Sequence, residues 1–258
     1  MTGTFKQKLI KSLLDIYLSP VKSNSRLKRY VQEVILMDTA AHLSKPVLFL
    51  QSKKLLSKNP VVIDIGGANG DSTEYFLKMI PNSRIYTFEA NPDLASRIKE
   101  RFADKSVHAY SMALSDKEGK LTFHITDNSL SSSYKTISAN NQFRTVNSVE
   151  VISSPLDTVM EKEKDVSEVD ILKLDVQGAE SDVIRGATNT LQKTKMIIVE
   201  QSVRTPYEGG SMYYEVDDMI RKAGFELLDV IITFRKDGLI LTEYDSIYTN
   251  KKYYSEKV

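Results

Sequence analysis

The sequence predicts an α/β fold: a seven-stranded Rossmann-like sheet, mostly parallel, with a C-terminal antiparallel hairpin and N-terminal helices in front of it. Three observations predict it. From Val61 onward, short β-branched runs alternate with helical stretches. A glycine turn, Gly66-Gly67-Ala68-Asn69-Gly70, joins the first run to its helix. Near the C-terminus, Arg235-Lys236-Asp237-Gly238 separates two apolar strands, and an Asp-Gly pair in that setting marks a hairpin.

At 258 residues the chain is long enough for one large α/β domain with a small helical extension. A net charge of +1 gives no global attraction for nucleic acid or anionic lipid. The absence of cysteine excludes disulfides, thiolate zinc sites and cysteine nucleophiles, and suits a reducing compartment. The N-terminus is punctuated by lysines and has no long apolar run, so it does not read as a signal peptide, and no segment is long enough to span a bilayer. A cytoplasmic protein with no stable membrane insertion is expected.

The elements follow in order. Residues 1–59 read as a helical extension, and residues 60–258 as the domain that does the chemistry. Phe5, Leu9, Leu13 and Tyr17 share one helical face until Ser19-Pro20 stops the pattern. A second helix is predicted from about Arg26 to Leu43, and a short one after Pro46. Strands are predicted at Val61–Ile65, Arg84–Phe88, Ser106–Tyr110, Ile171–Leu174 and Met196–Glu200, with an extra short strand at Leu121–Ile125. Helices are predicted over Glu74–Met79, Asp93–Phe102, Ala179–Leu191 and Tyr214–Ala223. Asn128–Asn147, rich in Ser and Asn, reads as an irregular loop. Phe225–Phe234 and Leu239–Thr249 form the closing hairpin. A parallel sheet closed in this way is the architecture of class I S-adenosylmethionine-dependent methyltransferases rather than of the all-parallel dinucleotide fold; this is an analogy of folds.

The glycine turn agrees. In a G-x-G-x-x-G frame starting at Gly66, Ala68 would hold the middle glycine position and Asp71 the last, so the dinucleotide fingerprint fails. The spacing D-x-G-x-G-x-G fits, with Asp64 leading and Ala68 at the centre. Glycine lets backbone approach a ligand where a Cβ would intrude. Asp64 suits the cationic amino-acid end of a sulfonium nucleoside, which a pyrophosphate site would not. About twenty residues on, Glu89 ends the second strand, where a carboxylate can accept hydrogen bonds from ribose hydroxyls. Met112 and Ala113 are candidates for the adenine wall.

Leu172-Lys173-Leu174-Asp175 puts charge into a strand that is otherwise apolar, which is costly unless the charge is paired or used. Lys173 and Asp175 share a face and can pair; Asp64 is the other available partner. Glu180 falls in the first turn of the next helix and Glu200 ends the fifth strand. Asp64, Glu89, Asp175 and Glu200 therefore line one rim, at the carboxyl ends of the strands where such sheets bind ligands.

Asp175-Val176-Gln177-Gly178-Ala179-Glu180, with Leu172-Lys173-Leu174 before it and Val183-Ile184-Arg185-Gly186-Ala187 after, resembles the K-x-D-x-E-G-x-E…L-x-G-A block of the FkbM-type methyltransferases. Phe88-Glu89-Ala90-Asn91-Pro92 is similar to that family's F-E-P-N-P, Ala113–Gly119 to its A-L-S-D-x-x-G, and Pro155-Leu156-Asp157 to its T-L-D segment. Ser131–Ser133 falls where the family has a serine pair. The resemblance implies S-adenosylmethionine-dependent O-methylation of a hydroxyl on a sugar, glycan or natural-product small molecule. It implies cofactor contacts along Asp64, Gly66, Gly67, Ala68, Asn69, Gly70, Glu89, Ala90, Asn91, Met112, Ala113 and Asp175. Two departures stand out. Ala68 and Asn69 lie one place later than in the family's D-x-G-A-N-x-G, and Gln177 replaces a glutamate, which shifts the candidate base to Asp175.

For catalysis the candidates are Asp175 as base or positioning group, Lys173 and Glu180 shaping its charge, and Glu200 as an outside candidate. Ser132, Ser133, Gln177 and Tyr207 are candidates for acceptor binding. No metal is expected, a magnesium site on Asp175 and Glu200 being the alternative. His42, His108 and His124 read as structural. The N-terminal helices suit a lid or core packing first, and a homodimer contact or a membrane-surface helix second. No nucleic-acid partner is indicated. Two other functions compete: a non-catalytic protein that binds the cofactor without turnover, and a nucleotide-cofactor oxidoreductase.

Overall fold

A computed structural model describes residues 41–139 and 143–254. The helices expected over 5–17 and over most of 26–43 lie outside the described residues. The first described helix is α1 (Ala41–Ser52), followed by β1 (Val61–Ile65), α2 (Asp71–Met79), β2 (Arg84–Glu89), α3 (Pro92–Arg101) and β3 (Val107–Ser111). Next come β4 (Ala113–Leu114), β5 (Gly119–Thr126), β6 (Thr145–Ser154), α4 (Leu156–Met160), β7 (Val169–Leu174), α5 (Glu180–Arg185) and α6 (Thr188–Gln192). The chain ends through β8 (Thr194–Ser202), α7 (Tyr213–Lys222), β9 (Phe225–Lys236) and β10 (Ile240–Asn250).

The main sheet has the order β3-β2-β1-β7-β8-β10-β9. β10 runs antiparallel to both its neighbours, and the other pairings in this sheet are parallel. The expected architecture is thus the observed one. Strand order reverses between β1 and β7, and a crevice lies beyond their carboxyl ends. Because helices cover both faces, β1 and β7 are buried along their whole length. Alternate residues feed two cores: Ile63, Ile65, Leu172 and Leu174 pack with Val183 and Ile220, whereas Val62 and Ile171 face Val47 of α1 and Phe76 of α2.

Three local expectations are corrected. A helix break was expected at Pro46, yet Pro46 sits inside α1. Proline removes one intrahelical bond there, and the packing of Leu43, Val47 and Leu50 against the sheet outweighs that loss. The single helix expected over Ala179–Leu191 is two short ones, α5 and α6, parted at Gly186-Ala187. A Cβ on Gly186 would lie 2.1 Å from the Ser115 carbonyl oxygen, and Asp157 caps the second piece by accepting from Asn189 N (2.7 Å) and Thr190 N (2.8 Å). Finally, the segment read as loop to Asn147 already enters β6 at Thr145, which builds a three-stranded sheet of order β4-β6-β5. Phe123 and Val151 face inward in that sheet and pack with Ala113, and Phe123 covers the cleft described below.

At the amino end of the main sheet a second buried ion pair closes the fold. Asp170 Oδ1 accepts from Lys195 Nζ (3.0 Å) and Ser57 N (2.8 Å), and Oδ2 accepts from Val61 N (2.9 Å). Lys195 Nζ also meets Glu168 Oε2 at 3.2 Å, so removing Asp170 would leave a buried ammonium with only a solvent-exposed partner. Asp170→Ala is expected to lose about 3 kcal/mol of stability in urea denaturation; a loss within experimental error would show the pair to be inert.

Candidate active site

The site grows from Lys173, in the central strand β7. Its Nζ lies 3.3 Å from Asp175 Oδ2 and 3.7 Å from Asp64 Oδ1, with 7 % of the side chain exposed. Burial alone would push the ammonium's pKa down. The carboxylates of Asp175, Asp64 and Asp245 outweigh it, and the net shift is upward, so Lys173 stays charged. Asp175 shows the reverse balance. Burial pushes its pKa up, but Lys173 and the hydrogen bond from Gln177 hold it below the ordinary carboxyl value, so it is ionised at neutral pH.

Asp64 is fully buried and does not line the cleft. Its Oδ2 accepts from Ser72 Oγ (2.6 Å) and Thr73 Oγ1 (2.7 Å) in the first turn of α2. The contact expected between Asp64 and a ligand's amino-acid end is therefore not available. Asp64 serves as counter-charge to Lys173 and as an anchor for α2.

The turn after β7 is built by side chains that bond their own backbone. Gln177 (φ 55°) and Gly178 (φ 90°) both lie in the left-handed region, which costs little only for glycine. Glu180 Oε1 holds the turn by accepting from Val176 N (3.3 Å) and Gly178 N (3.1 Å). With 4 % of its surface exposed, Glu180 has its pKa pushed up to about 7 by burial, against those backbone bonds. It supports the turn from behind the cleft. Gln177 Nε2 donates to Asp175 Oδ1 (3.0 Å) and Glu200 Oε2 (2.8 Å), bridging the ends of β7 and β8. A glutamate here would set a third carboxylate between two others; the amide supplies a donor instead. Tyr207, expected to touch the acceptor, is 3 % exposed, packs over Gly178, and lies 2.9 Å from both Ser131 O and Gln177 Oε1. It is a strut behind Gln177.

Across the notch, the glycine turn packs against Asp175. A Cβ on Gly66 (φ 80°) would lie 1.8 Å from the Asp175 carbonyl oxygen, and one on Gly67 would lie 2.3 Å from Thr87 Oγ1. Only glycine lets β1 and β7 end this close together. Ala68 N donates to Glu89 Oε2 and Asn91 N to Glu89 Oε1, each at 2.7 Å, so Glu89 is fixed by two backbone donors and still presents lone pairs to the cleft. Burial nonetheless raises its pKa. Asn69 is exposed, Gly70 caps α2, and Asn91 caps α3 by accepting from Asp93 N, so none of the three reaches the cleft.

Between these groups lies a cleft of about 270 Å³. Gly66, Ala68, Glu89 and Ala90 form its floor, and Met112 and Ala113 a wall; Phe123, Leu94 and Leu130 complete an apolar half. Asp175, Gln177 and Glu200 form the polar end, with Ser132 on the covering loop. Ser133 does not line the cleft; its backbone bridges to His124 in β5. Tyr134 was missed by sequence reasoning. It lines the cleft and donates to Asp182 Oδ2 at 2.9 Å, and nothing in a Ser-rich segment signals it. Phe123 could have been found from the alternation of β5.

Comparison with known proteins places the chain among methyltransferases by sequence. The family model described as the methyltransferase FkbM domain matches residues 64–227. The 2-O-methyltransferase NoeI of Sinorhizobium fredii is 30 % identical over 224 residues, 78 % of this chain and 91 % of that protein. The hexuronic acid methyltransferase AglP of Haloferax volcanii is 26 % identical over 121 residues, 46 % of this chain and 47 % of that one. Among solved structures, the M. capricolum TrmK complex with S-adenosylhomocysteine has a TM-score of 0.47 at 12 % identity, covering 84 % of this chain and 70 % of that one.

The raised pKa of Glu180 has a consequence for stability. Between the ordinary carboxyl value and about 7, the folded protein holds a proton that the unfolded chain has lost, so this group's contribution to stability falls as pH rises through that window. Glu180→Gln keeps the Oε1 acceptor without the charge. Relative to the parent protein it is expected to gain on the order of 2 kcal/mol between pH 5 and pH 8 in urea denaturation. An equal difference at both pH values would contradict the assignment.

Proposed function

Because the chain belongs to the FkbM methyltransferase family, an S-adenosylmethionine-dependent class of enzymes, we propose that it methylates a hydroxyl group of a sugar or glycan. The observation that carries the proposal is the junction inside the cleft. The apolar half of the cleft ends at an ionised carboxylate, Asp175, that a buried ammonium keeps charged. The names of the two relatives support a sugar hydroxyl as acceptor: one is a 2-O-methyltransferase, the other acts on a hexuronic acid.

The residues present fit the cofactor. Glu89, held by two backbone amides, offers acceptors for a ribose diol, and Met112, Ala113, Phe88 and Leu114 suit an adenine ring. Gly66 lines the cleft with bare backbone, because the Asp175 carbonyl oxygen occupies the place a Cβ would need. When bound, S-adenosylmethionine would supply a methyl carbon activated by its sulfonium. The chain's own part is to place the acceptor oxygen in line and to deal with its proton. Asp175 would accept a hydrogen bond from the attacking hydroxyl, oriented by Lys173 on one side and Gln177 on the other. Glu200, held by the same Gln177, would contact a neighbouring hydroxyl of the acceptor. Tyr207 and Glu180 keep Gln177 and its turn in position.

Glu89→Ala is expected to weaken S-adenosylmethionine binding at least about tenfold by calorimetry, because two ribose acceptors are lost. Asp175→Asn should bind the cofactor within about threefold of the parent and lose about a hundredfold in turnover. Turnover would be read with radiolabelled methyl donor on methyl glycosides of hexoses, hexosamines and hexuronic acids. Full activity of Asp175→Asn would remove it as base or positioning group, and transfer to nitrogen acceptors alone would remove the hydroxyl reading.

A further inference from the structure

Methylating a hydroxyl releases a proton beside Asp175, whose side chain keeps 36 % exposure in the free cleft and would be covered there by the bound acceptor. Asp175 follows β7 directly and, continuing the Leu174–Val199 register, stands beside Glu200; Glu200 in turn pairs with Asp245 of β10. Side-chain alternation puts all three on one face, because Ile171, Ile198 and Ile247, at the same parity, pack together beneath α1 and α2. α1 then sets His42 over the last of them. His42 Nδ1 lies 3.6 Å from Asp245 Oδ2, and its side chain keeps 24 % exposure against 10 % for Asp245. The groups form a row that leads from the cleft to the surface. Among the described residues they do not converge into a set that could hold a metal ion.

We propose that Glu200, Asp245 and His42 conduct the acceptor's proton from the cleft to solvent. The proposal rests on hydroxyl methylation at Asp175. In each turnover the acceptor's O–H bond breaks as its oxygen bonds the methyl carbon, and the electron pair of the carbon–sulfur bond stays on sulfur. The proton is left over. Asp175 takes it from the hydroxyl and hands it on to Glu200, which accepts it on one carboxyl oxygen while releasing its own proton toward Asp245, and the imidazole of His42 passes it to water. Such hopping needs carboxyls that hold a proton near neutral pH. Burial and the charge of Asp175 push Asp245 up to about 7, and the same two causes raise Glu200 well above the ordinary carboxyl value. The other titratable or charged groups facing the row are Lys173 of β7, Asp64 of β1, Glu180 of α5, Glu243 of β10 and Tyr207. Lys173 fixes the charge on Asp175, which leaves the mobile proton to the neighbours.

The experiment uses the full chain, labelled methyl donor and the acceptor selected from the methyl glycoside panel. His42→Ala is expected to lose at least about tenfold in kcat with KM and cofactor affinity unchanged, and added imidazole should restore the rate. His42→Gln, which keeps a donor toward Asp245, should lose as much, and Asp245→Asn should lose activity that imidazole does not restore. Activity of His42→Ala within about twofold of the parent, a loss confined to KM, or a loss unmoved by imidazole would overturn the relay and leave the hydroxyl reading intact. If the parent protein methylates no hydroxyl in the panel, the reading fails and the relay falls with it.

Discussion

One buried ammonium governs the rim of this sheet. Lys173 stands in the middle strand, where a lone charge would be costly, and it is retained because carboxylates flank it on two strands. Asp64 neutralises it from β1 and Asp175 from the end of β7 itself. The arrangement settles three things together. It keeps Asp175 ionised at the polar end of the cleft, ties β1 to β7 at the point where strand order reverses, and leaves the neighbouring Glu200 to hold a proton rather than a charge. Without the ammonium, several carboxyl groups at this rim would have to share protons, and none would be reliably anionic at the cleft.

The supporting parts follow from that centre. Gly66 must be glycine because Asp175's own carbonyl occupies the space a Cβ would need. Gln177 must donate rather than repel, because it bridges Asp175 and Glu200. Tyr207 fixes the other end of that amide, and its hydroxyl also meets Ser131 O, so the loop that covers the cleft is tied to the turn after β7.

Much of this was legible in the sequence, and the reasons are physical. Charges at the carboxyl ends of buried strands can be read from strand periodicity alone, which is why Asp175, Glu89 and Glu200 were found, and why Lys173 was paired correctly with Asp64 and Asp175. The hairpin was found because Asp237-Gly238 has few other uses. What escaped was set by tertiary contact. Asp64 looks free in the sequence, yet Ser72 and Thr73 fold back and occupy it. Tyr207 looks like an exposed loop tyrosine, yet Gly178 opens a space that its ring fills. The start of β6 reads as loop because Thr145 and Asn147 continue a Ser- and Asn-rich stretch; its strand character comes from pairing with β5. His42 carried no local signal at all, and only the docking of α1 brings it to Asp245.

The claim underlying the whole account is that the notch between the ends of β1 and β7 is where the sulfonium nucleoside sits. A crystal structure of the protein with S-adenosylhomocysteine tests this most directly. The account predicts the ribose against Glu89, the adenine against Met112 and Ala113, and the sulfur directed toward Asp175. A nucleoside bound elsewhere, or protein atoms filling the notch in that crystal, would contradict it.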